Sequence, residues 1–254
     1  MRVAVLSDIH GNLPALRAVL GELDSAPADA IVVAGDICGG PLVRAALELL
    51  AARAEPVHWI AGNAERETVK QFDGAPTADD PPTRADAWSA RQLDQQWRDT
   101  LASWPFTLEL DGVRFCHGSP RRDDEILTRG TPENALADAL AGTAERLVVG
   151  GHTHQQLIRE LPGGPVFVNA GSVGLPYEGR PGAFWMAVDA GVPQLRQTGY
   201  DLPEALSELR ASGFPELDDH LGDSLLSPVD PDWVTAFFEF RAGRKEDPGQ
   251  PRPA

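Results

Sequence analysis

Arg2-Val3-Ala4-Val5-Leu6-Ser7-Asp8-Ile9-His10-Gly11-Asn12 is the stretch whose reading decides the fold. Its apolar run, Val3 to Leu6, has the length and composition of a buried strand, and it stops abruptly at polar turn chemistry. Pro14 then opens a helix in which Leu16, Val19, Leu20 and Leu23 recur at helical spacing. The pattern repeats downstream. Ala30 to Ala34 reads as a second buried strand ended by Gly35-Asp36, Leu42 to Ala52 as a helix, and Val57 to Ala61 as a third strand ended by Gly62-Asn63. Three strand–helix alternations within about sixty residues predict an α/β sheet with helices packed on its faces.

The middle of the chain changes character. Asp73 to Asp86, rich in Pro, Asp, Thr and Ala, predicts an exposed loop. Ala87 to Ser103 predicts a helix with Trp88, Leu93, Trp97 and Leu101 on its apolar stripe, continued by Trp104 and suited to core packing. Together residues 73–103 form a loop–helix insertion, placed either as a lid over a site or as a tolerated surface addition. Phe106 to Leu110 and Val113 to Cys116, joined by Asp111-Gly112, predict a hairpin. A helix near Pro132 to Ala141 precedes a strand at Arg146 to Val149, and further strands follow at 157–160, 166–169, 184–188 and 194–197. Helices are expected at 202–211 and 232–240. One domain over residues 1–240 is expected, with a charged, Pro/Gly-rich disordered tail at 241–254.

Lys and Arg total 22 against 38 Asp and Glu, a formal net charge of −16, and no basic stripe interrupts it. A phosphate backbone is repelled by that balance, so no nucleic-acid partner is expected. An acidic chain can still bind a small phosphoester if metal cations supply the local positive field. Two cysteines, Cys38 and Cys116, are too few for a disulfide scaffold and read as small buried hydrophobes. Neither a signal peptide nor a membrane span is apparent, so a cytoplasmic location and no membrane partner are expected. The aromatic residues Trp233, Phe237 and Phe238 suit either the core or a homodimer interface.

The polar residues at strand ends carry the chemistry. Asp8 and His10 follow the first strand, Asp36 the second and Asn63 the third, while His117 follows the hairpin and His152 and His154 a later strand. In open α/β sheets ligands gather at the carboxyl ends of strands, so residues scattered in sequence converge there. Asp8 and His10 are two apart, and extended backbone would put them on one side, as it would His152 and His154. Four imidazoles, two carboxylates and one amide suit transition ions such as Mn²⁺, Fe or Zn²⁺ better than Ca²⁺. Seven donors exceed one tetrahedral site, and two ions sharing a carboxylate would use them all.

Ser7-Asp8-Ile9-His10-Gly11-Asn12, Gly35-Asp36, Gly62-Asn63, His117-Gly118 and Gly151-His152-Thr153-His154 resemble, in order, the conserved blocks of the calcineurin-like metallophosphoesterase superfamily. The stretches at Cys116 to Arg121 and Asn169 to Gly174 are similar to its small single-domain bacterial phosphodiesterases. The resemblance implies a four-layer α/β/β/α sandwich of two packed mixed sheets with helices outside. It further implies that Asp8, His10 and His154 bind one metal and Asn63, His117 and His152 a second, with Asp36 bridging. The implied cofactors are two divalent transition ions, Mn first, with Fe, Zn, Ni or Co as alternatives. The implied reaction is hydrolysis of a small phosphoester, a diester in preference to a monoester, by a hydroxide shared between the metals.

One position departs from the family's pattern. Where many members carry a histidine and then an acid after Gly-Asn, this chain has Ala64 and Glu65. That histidine is thought to protonate the leaving oxygen, so no side-chain general acid is identified. His58 lies five residues before Asn63, about 16 Å up an extended strand, and His220 cannot be placed. Arg66 and Arg121 follow ligand blocks and are candidates for holding substrate, with Arg122 a weaker one. Two other functions fit the resemblance: hydrolysis of dinucleoside polyphosphates, whose leaving group needs little acid help, and a non-catalytic metal-binding scaffold. The first lacks its Asp-Arg-Gly element, since Asp36 is followed by Ile37-Cys38-Gly39-Gly40-Pro41. The second expects missing ligands, and none is missing.

Overall fold

The computed structural model describes every residue except Glu216. Strand β1 (Arg2–Leu6) pairs in parallel with β2 (Ala30–Ala34), and β2 in parallel with β3 (Val57–Ile60). On the other side of β1, β9 (Ala183–Asp189) runs antiparallel and is followed by β10 (Val192–Thr198) at the edge, giving the order β10-β9-β1-β2-β3. The second five-stranded sheet has the order β4-β5-β6-β8-β7. It comprises β4 (Leu108–Leu110), β5 (Val113–Phe115), β6 (Leu147–Gly150), β7 (Leu157–Glu160) and β8 (Val166–Asn169). Its three central strands β5, β6 and β8 are parallel, and β4 and β7 are antiparallel edges.

Strand alternation divides the apolar residues into layers. Val3 and Val5 of β1, with Val32 and Ala34 of β2, point at the second sheet and meet Phe115, Val149 and Val168. Ala4 and Leu6, with Ile31 and Val33, point the other way, onto α1 (Leu13–Ser25) and α2 (Val43–Ala51). The outer face of the second sheet packs Val148 and Phe167 against Leu136 and Ala139 of the short helix α6 (Glu133–Ala139). Helix, sheet, sheet and helix follow in that order, as the sequence implies.

The insertion differs from its expectation. Helix α3 (Asn63–Phe72) begins at a metal-ligand candidate, and α4 (Pro81–Arg91) starts where a loop is expected. Pro81 and Pro82 open that helix rather than extend the loop, because proline in a first turn gives up no hydrogen bond and the Asp80 carboxylate caps the Thr83 N–H. A break at residues 92–94, where Asp94 caps a new start, separates α5 (Gln95–Ser103). The C-terminal part adds α7 (Leu202–Ala211), α8 (Leu217–Leu221), a π-helical turn at Gly222–Leu226 and α9 (Pro231–Arg241). α7 and α8 share a cluster with Ala85 of α4, built on Leu209, Phe214, Leu217 and Leu221. Residues beyond Arg241, expected to be disordered, hold no helix or strand but fold back: Asp230 N–H donates to Arg252 O, Ala254 N–H to Pro228 O, and Trp233 Nε1 to Gly249 O. Among the described residues no helix is long and apolar enough to cross a membrane.

Candidate metal centre

The loops after β1, β2, β3, β5 and β6 meet at one end of the sandwich, and each brings polar side chains. Backbone bonds lock them together: Asp8 N–H donates to Gly35 O at 3.0 Å, His10 N–H to Asp36 O at 3.0 Å, and Gly151 N–H to His117 O at 2.7 Å. Asp8, His10, Asp36, His152 and His154 all have left-handed backbone, with φ between 46° and 69°. Extended geometry therefore does not bring Asp8 to His10 or His152 to His154, as their spacing suggests. Instead the chain reverses sharply at each residue, a strained conformation costing on the order of 1 kcal/mol or more apiece. Two glycines make room. A Cβ on Gly35 would lie 2.6 Å from His117 Nδ1, and one on Gly62 would overlap the Asp36 carboxylate.

The donors fall into two groups, Asp8 with His10 and His154, and Asp36 with His117 and His152; within each, the donor atoms lie within 4.8 Å of one another. The first group holds the residues that the resemblance assigns to one metal; the second has His117 and His152 of the other set together with Asp36. Asp36 Oδ2 lies 3.2 Å from His117 Nε2 and 3.8 Å from His10 Nε2, so it faces both groups. Asn63 Oδ1 and His117 Nε2 are buried without a hydrogen-bond partner. A buried amide oxygen and a buried imidazole nitrogen, both orphaned, are what a cation would satisfy.

The histidines are oriented as ligands. His10 Nδ1 is 2.9 Å from Cys38 O, His117 Nδ1 2.8 Å from Ala34 O and His154 Nδ1 2.7 Å from Leu175 O. A carbonyl only accepts, so each Nδ1 holds a proton and each Nε2 is left facing inward, where it would give its lone pair to a bound cation. His10 Nε2 and His154 Nε2 then face each other at 3.3 Å, a contact that a shared cation relieves. Two divalent transition ions fit this donor set.

Electrostatics agree. Burial alone would raise the Asp36 carboxyl, but His117, His10 and His152 hold it below the usual carboxylate range. Burial presses His117 down, yet Asp36 and Asp8 overcome it and lift it to about 10. Burial and then the His117 charge push His152 to about 4.

Further hydrogen bonds hold the donor residues in place. Ser7 Oγ and the His152 N–H donate to Asp8, and Ser172 Oγ donates to Asp8 O at 2.7 Å. Glu65, the acid after Ala64, accepts from three backbone N–H groups: Asp36 at 2.8 Å, Cys38 at 2.9 Å and Gly62 at 2.7 Å. With Ala64 before it there is no histidine for this acid to orient, and it staples the second and third loops together. Asn169 Nδ2 donates to Gly151 O and to Thr153 Oγ1, bracing the turn that carries His152 and His154. Asn169→Ala is expected to weaken metal binding about 10–100-fold, measured by competition against a chromophoric chelator, with the fold retained.

A cavity of about 380 Å³ opens over the donors. One wall is Ala64 with Pro81, Pro82 and Asp86 of the insertion; the others bring Leu175, Tyr177, His220, Phe237, Phe238 and Arg241. The insertion is thus a wall of the site. Tyr177 stacks on His154 with ring centroids 5.2 Å apart, and His220 meets His10 edge-on at 6.3 Å. Phe237 and Phe238, candidates for a dimer interface or the core, line this cavity. Arg66 and Arg121, the candidates for holding substrate, do not line it. Arg66 is engaged by Asp123 and Glu67, and Arg121 by Glu125 and Asp138 O, because acids close to each in sequence or space draw it away. Arg122 likewise pairs with Asp124. Arg241 does reach the cavity, from a segment that no motif marks. His58 stays within β3, paired with Val32.

Known proteins show the same arrangement of chain. Residues 1–190 match the model of the calcineurin-like phosphoesterase superfamily domain. A metallophosphoesterase from Sphaerobacter thermophilus is 27% identical and superposes with a TM-score of 0.70, over 88% of this chain and 99% of that one. A hypothetical protein, PH1004, from Pyrococcus horikoshii OT3 shares the fold at 22% identity with a TM-score of 0.71, over 87% and 96% of the two chains. A search of curated proteins gives no match. The ordered ligand loops, the paired sheets and the family match converge: the chain belongs to the calcineurin-like phosphoesterase superfamily.

Proposed function

We propose that this chain is a metal-dependent phosphoester hydrolase that acts on small diesters in preference to monoesters. The observation that carries the reading is Asp36, whose carboxylate faces His10 of one donor group and His117 of the other. Two divalent transition ions, Mn before Fe, Zn, Ni or Co, would supply a hydroxide nucleophile for in-line attack and offset charge on the phosphoryl oxygens. Asp8, His10 and His154 would hold one ion, Asn63, His117 and His152 the other, with Asp36 shared.

The remaining wall supports the diester preference. Among the described residues Arg241 is the one arginine or lysine lining the cavity, and Leu175, Tyr177, Phe237 and Phe238 give it apolar sides. A diester brings one negative charge and an organic group on each side of phosphorus, which suits few cations and much apolar surface. A monoester brings a second charge, and beyond the ions Arg241 is, among the described residues, the one cationic side chain placed to meet it.

The test is Mn²⁺-dependent hydrolysis of bis-p-nitrophenyl phosphate beside p-nitrophenyl phosphate, with elemental analysis of the purified protein. Turnover of both with the diester faster is expected. Absence of turnover with Mn, Fe, Zn, Ni and Co, together with absence of bound metal, sinks the reading.

A further inference from the structure

Ala64 removes the family's leaving-group histidine, and the structure puts another group beside the gap. Around the point where a Cβ on Gly39 would sit, Ala64 Cβ lies at 3.5 Å, Asp86 Oδ1 at 3.4 Å and His10 Nδ1 at 3.1 Å. Asp86 and Ala64 thus both border that one point beside Gly39, and both line the cavity over the donors. Its side chain is 8% exposed, and among the described residues its carboxyl has neither hydrogen bond nor ion pair. A largely buried carboxyl that faces a cavity without a protein partner is placed to meet a ligand there, and a packing role would be served better by leucine or alanine.

The helix beneath Asp86 is fixed to the ligand loops. Ser89, one turn on, accepts from Gly39 N–H at 3.0 Å and from Gly40 N–H at 3.2 Å, and Trp88 Nε1 donates to Pro41 O at 3.1 Å. Those residues follow Asp36 directly, so α4 is registered against the metal centre. We propose that Asp86 is the leaving-group acid of this hydrolase, supplied from the insertion in place of the histidine absent at position 64. The assignment rests on the phosphoester hydrolase reading above.

In the step, oxygen of the attacking hydroxide forms a bond to phosphorus as the bond from phosphorus to the leaving oxygen breaks, with its electron pair leaving on that oxygen. The Asp86 proton moves onto the leaving oxygen, and water in the cavity reprotonates the carboxylate. Burial pushes the Asp86 carboxyl up to about 8, with Asp36, Glu67, Glu65 and Asp80 adding to it. Cations in the neighbouring centre would draw it back toward neutrality, where a general acid is most effective. His220, which also lines the cavity, packs edge-on against Phe214 and His10, and burial pushes it down to about 3, so it carries no proton to give near neutral pH.

The experiment compares a good and a poor leaving group, bis-p-nitrophenyl phosphate and diphenyl phosphate, in wild type, Asp86→Asn, Ala64→His with Asp86→Asn, and His220→Gln. Asp86→Asn is expected to cut turnover of diphenyl phosphate by about 10²-fold or more while changing bis-p-nitrophenyl phosphate little. Adding Ala64→His should restore much of the loss. Independently of turnover, the infrared spectrum of the metal-free wild type minus that of metal-free Asp86→Asn should contain a protonated-carboxyl band at neutral pH. Equal losses on both esters, the same selective loss on diphenyl phosphate in His220→Gln instead, or no such band overturns the assignment. A wild type inactive on both esters overturns the hydrolase reading, and this assignment with it.

Discussion

Asp36→Asn is expected to lower Mn²⁺-dependent turnover by at least about 10²-fold, the scale reached by losing even an outer partner of a metal ligand. The metal content should fall at both sites together. The argument is one of acceptor count. In the wild type one carboxylate oxygen takes the Ala64 N–H at 2.8 Å, while the other faces His117 Nε2 at 3.2 Å and His10 Nε2 at 3.8 Å. An asparagine has a single oxygen. If that oxygen keeps Ala64, the amide NH₂ turns its donors toward the inward-facing nitrogens of both groups, where a cation has to sit. If it turns inward, the Ala64 N–H at the start of α3 loses its acceptor and Asn63 its anchorage. Either way the negative charge between the two groups is gone. Elemental analysis and bis-p-nitrophenyl phosphate hydrolysis check it; one metal lost and one kept, or turnover near that of wild type, refutes the shared role of Asp36.

The convergence of these polar residues is legible because strand ends are. Each follows a short apolar run that breaks at glycine or at a polar pair, and parallel order puts such breaks at one end of a sheet. Their backbone was not legible. Asp8, His10, Asp36, His152 and His154 all take left-handed conformations, which side-chain spacing does not encode, and the extended-pair argument reached the right neighbours by the wrong geometry. The cavity walls were hidden for a different reason. His220, Phe237, Phe238 and Arg241 come from helices whose sequence records an amphipathic face but not which surface that face meets. Asp86 falls at the end of an expected loop because Pro81-Pro82 signals a break as readily as it opens a helix. Arg66 and Arg121 failed in the opposite sense: proximity in sequence to ligand blocks suggested a role that nearby carboxylates occupy.

Glu65 gives the second large effect. Its carboxylate is 1% exposed and accepts from the backbone N–H groups of Asp36, Cys38 and Gly62. Asp36 and Gly62 belong to loops after adjacent strands, so this one side chain fixes the distance between the Asp36 and Asn63 ligands. Glu65→Ala leaves three buried donors without an acceptor, each costing about 1–3 kcal/mol. Loss of the buried charge returns some desolvation energy, so a net loss of about 3–5 kcal/mol is expected. That is a large part of an ordinary domain's stability of about 5–15 kcal/mol. Urea unfolding of the metal-free chain measures it apart from any metal effect. Glu65→Gln retains one acceptor oxygen but turns an NH₂ toward other donors, so it should fall between Glu65→Ala and wild type. The same substitutions should weaken metal binding in the same order, because the loops that carry Asp36 and Asn63 lose their common anchor. If Glu65→Ala unfolds within about 1 kcal/mol of wild type, water or a relaxed backbone replaces the carboxylate, and the spacing of those two ligands must come from the strands alone.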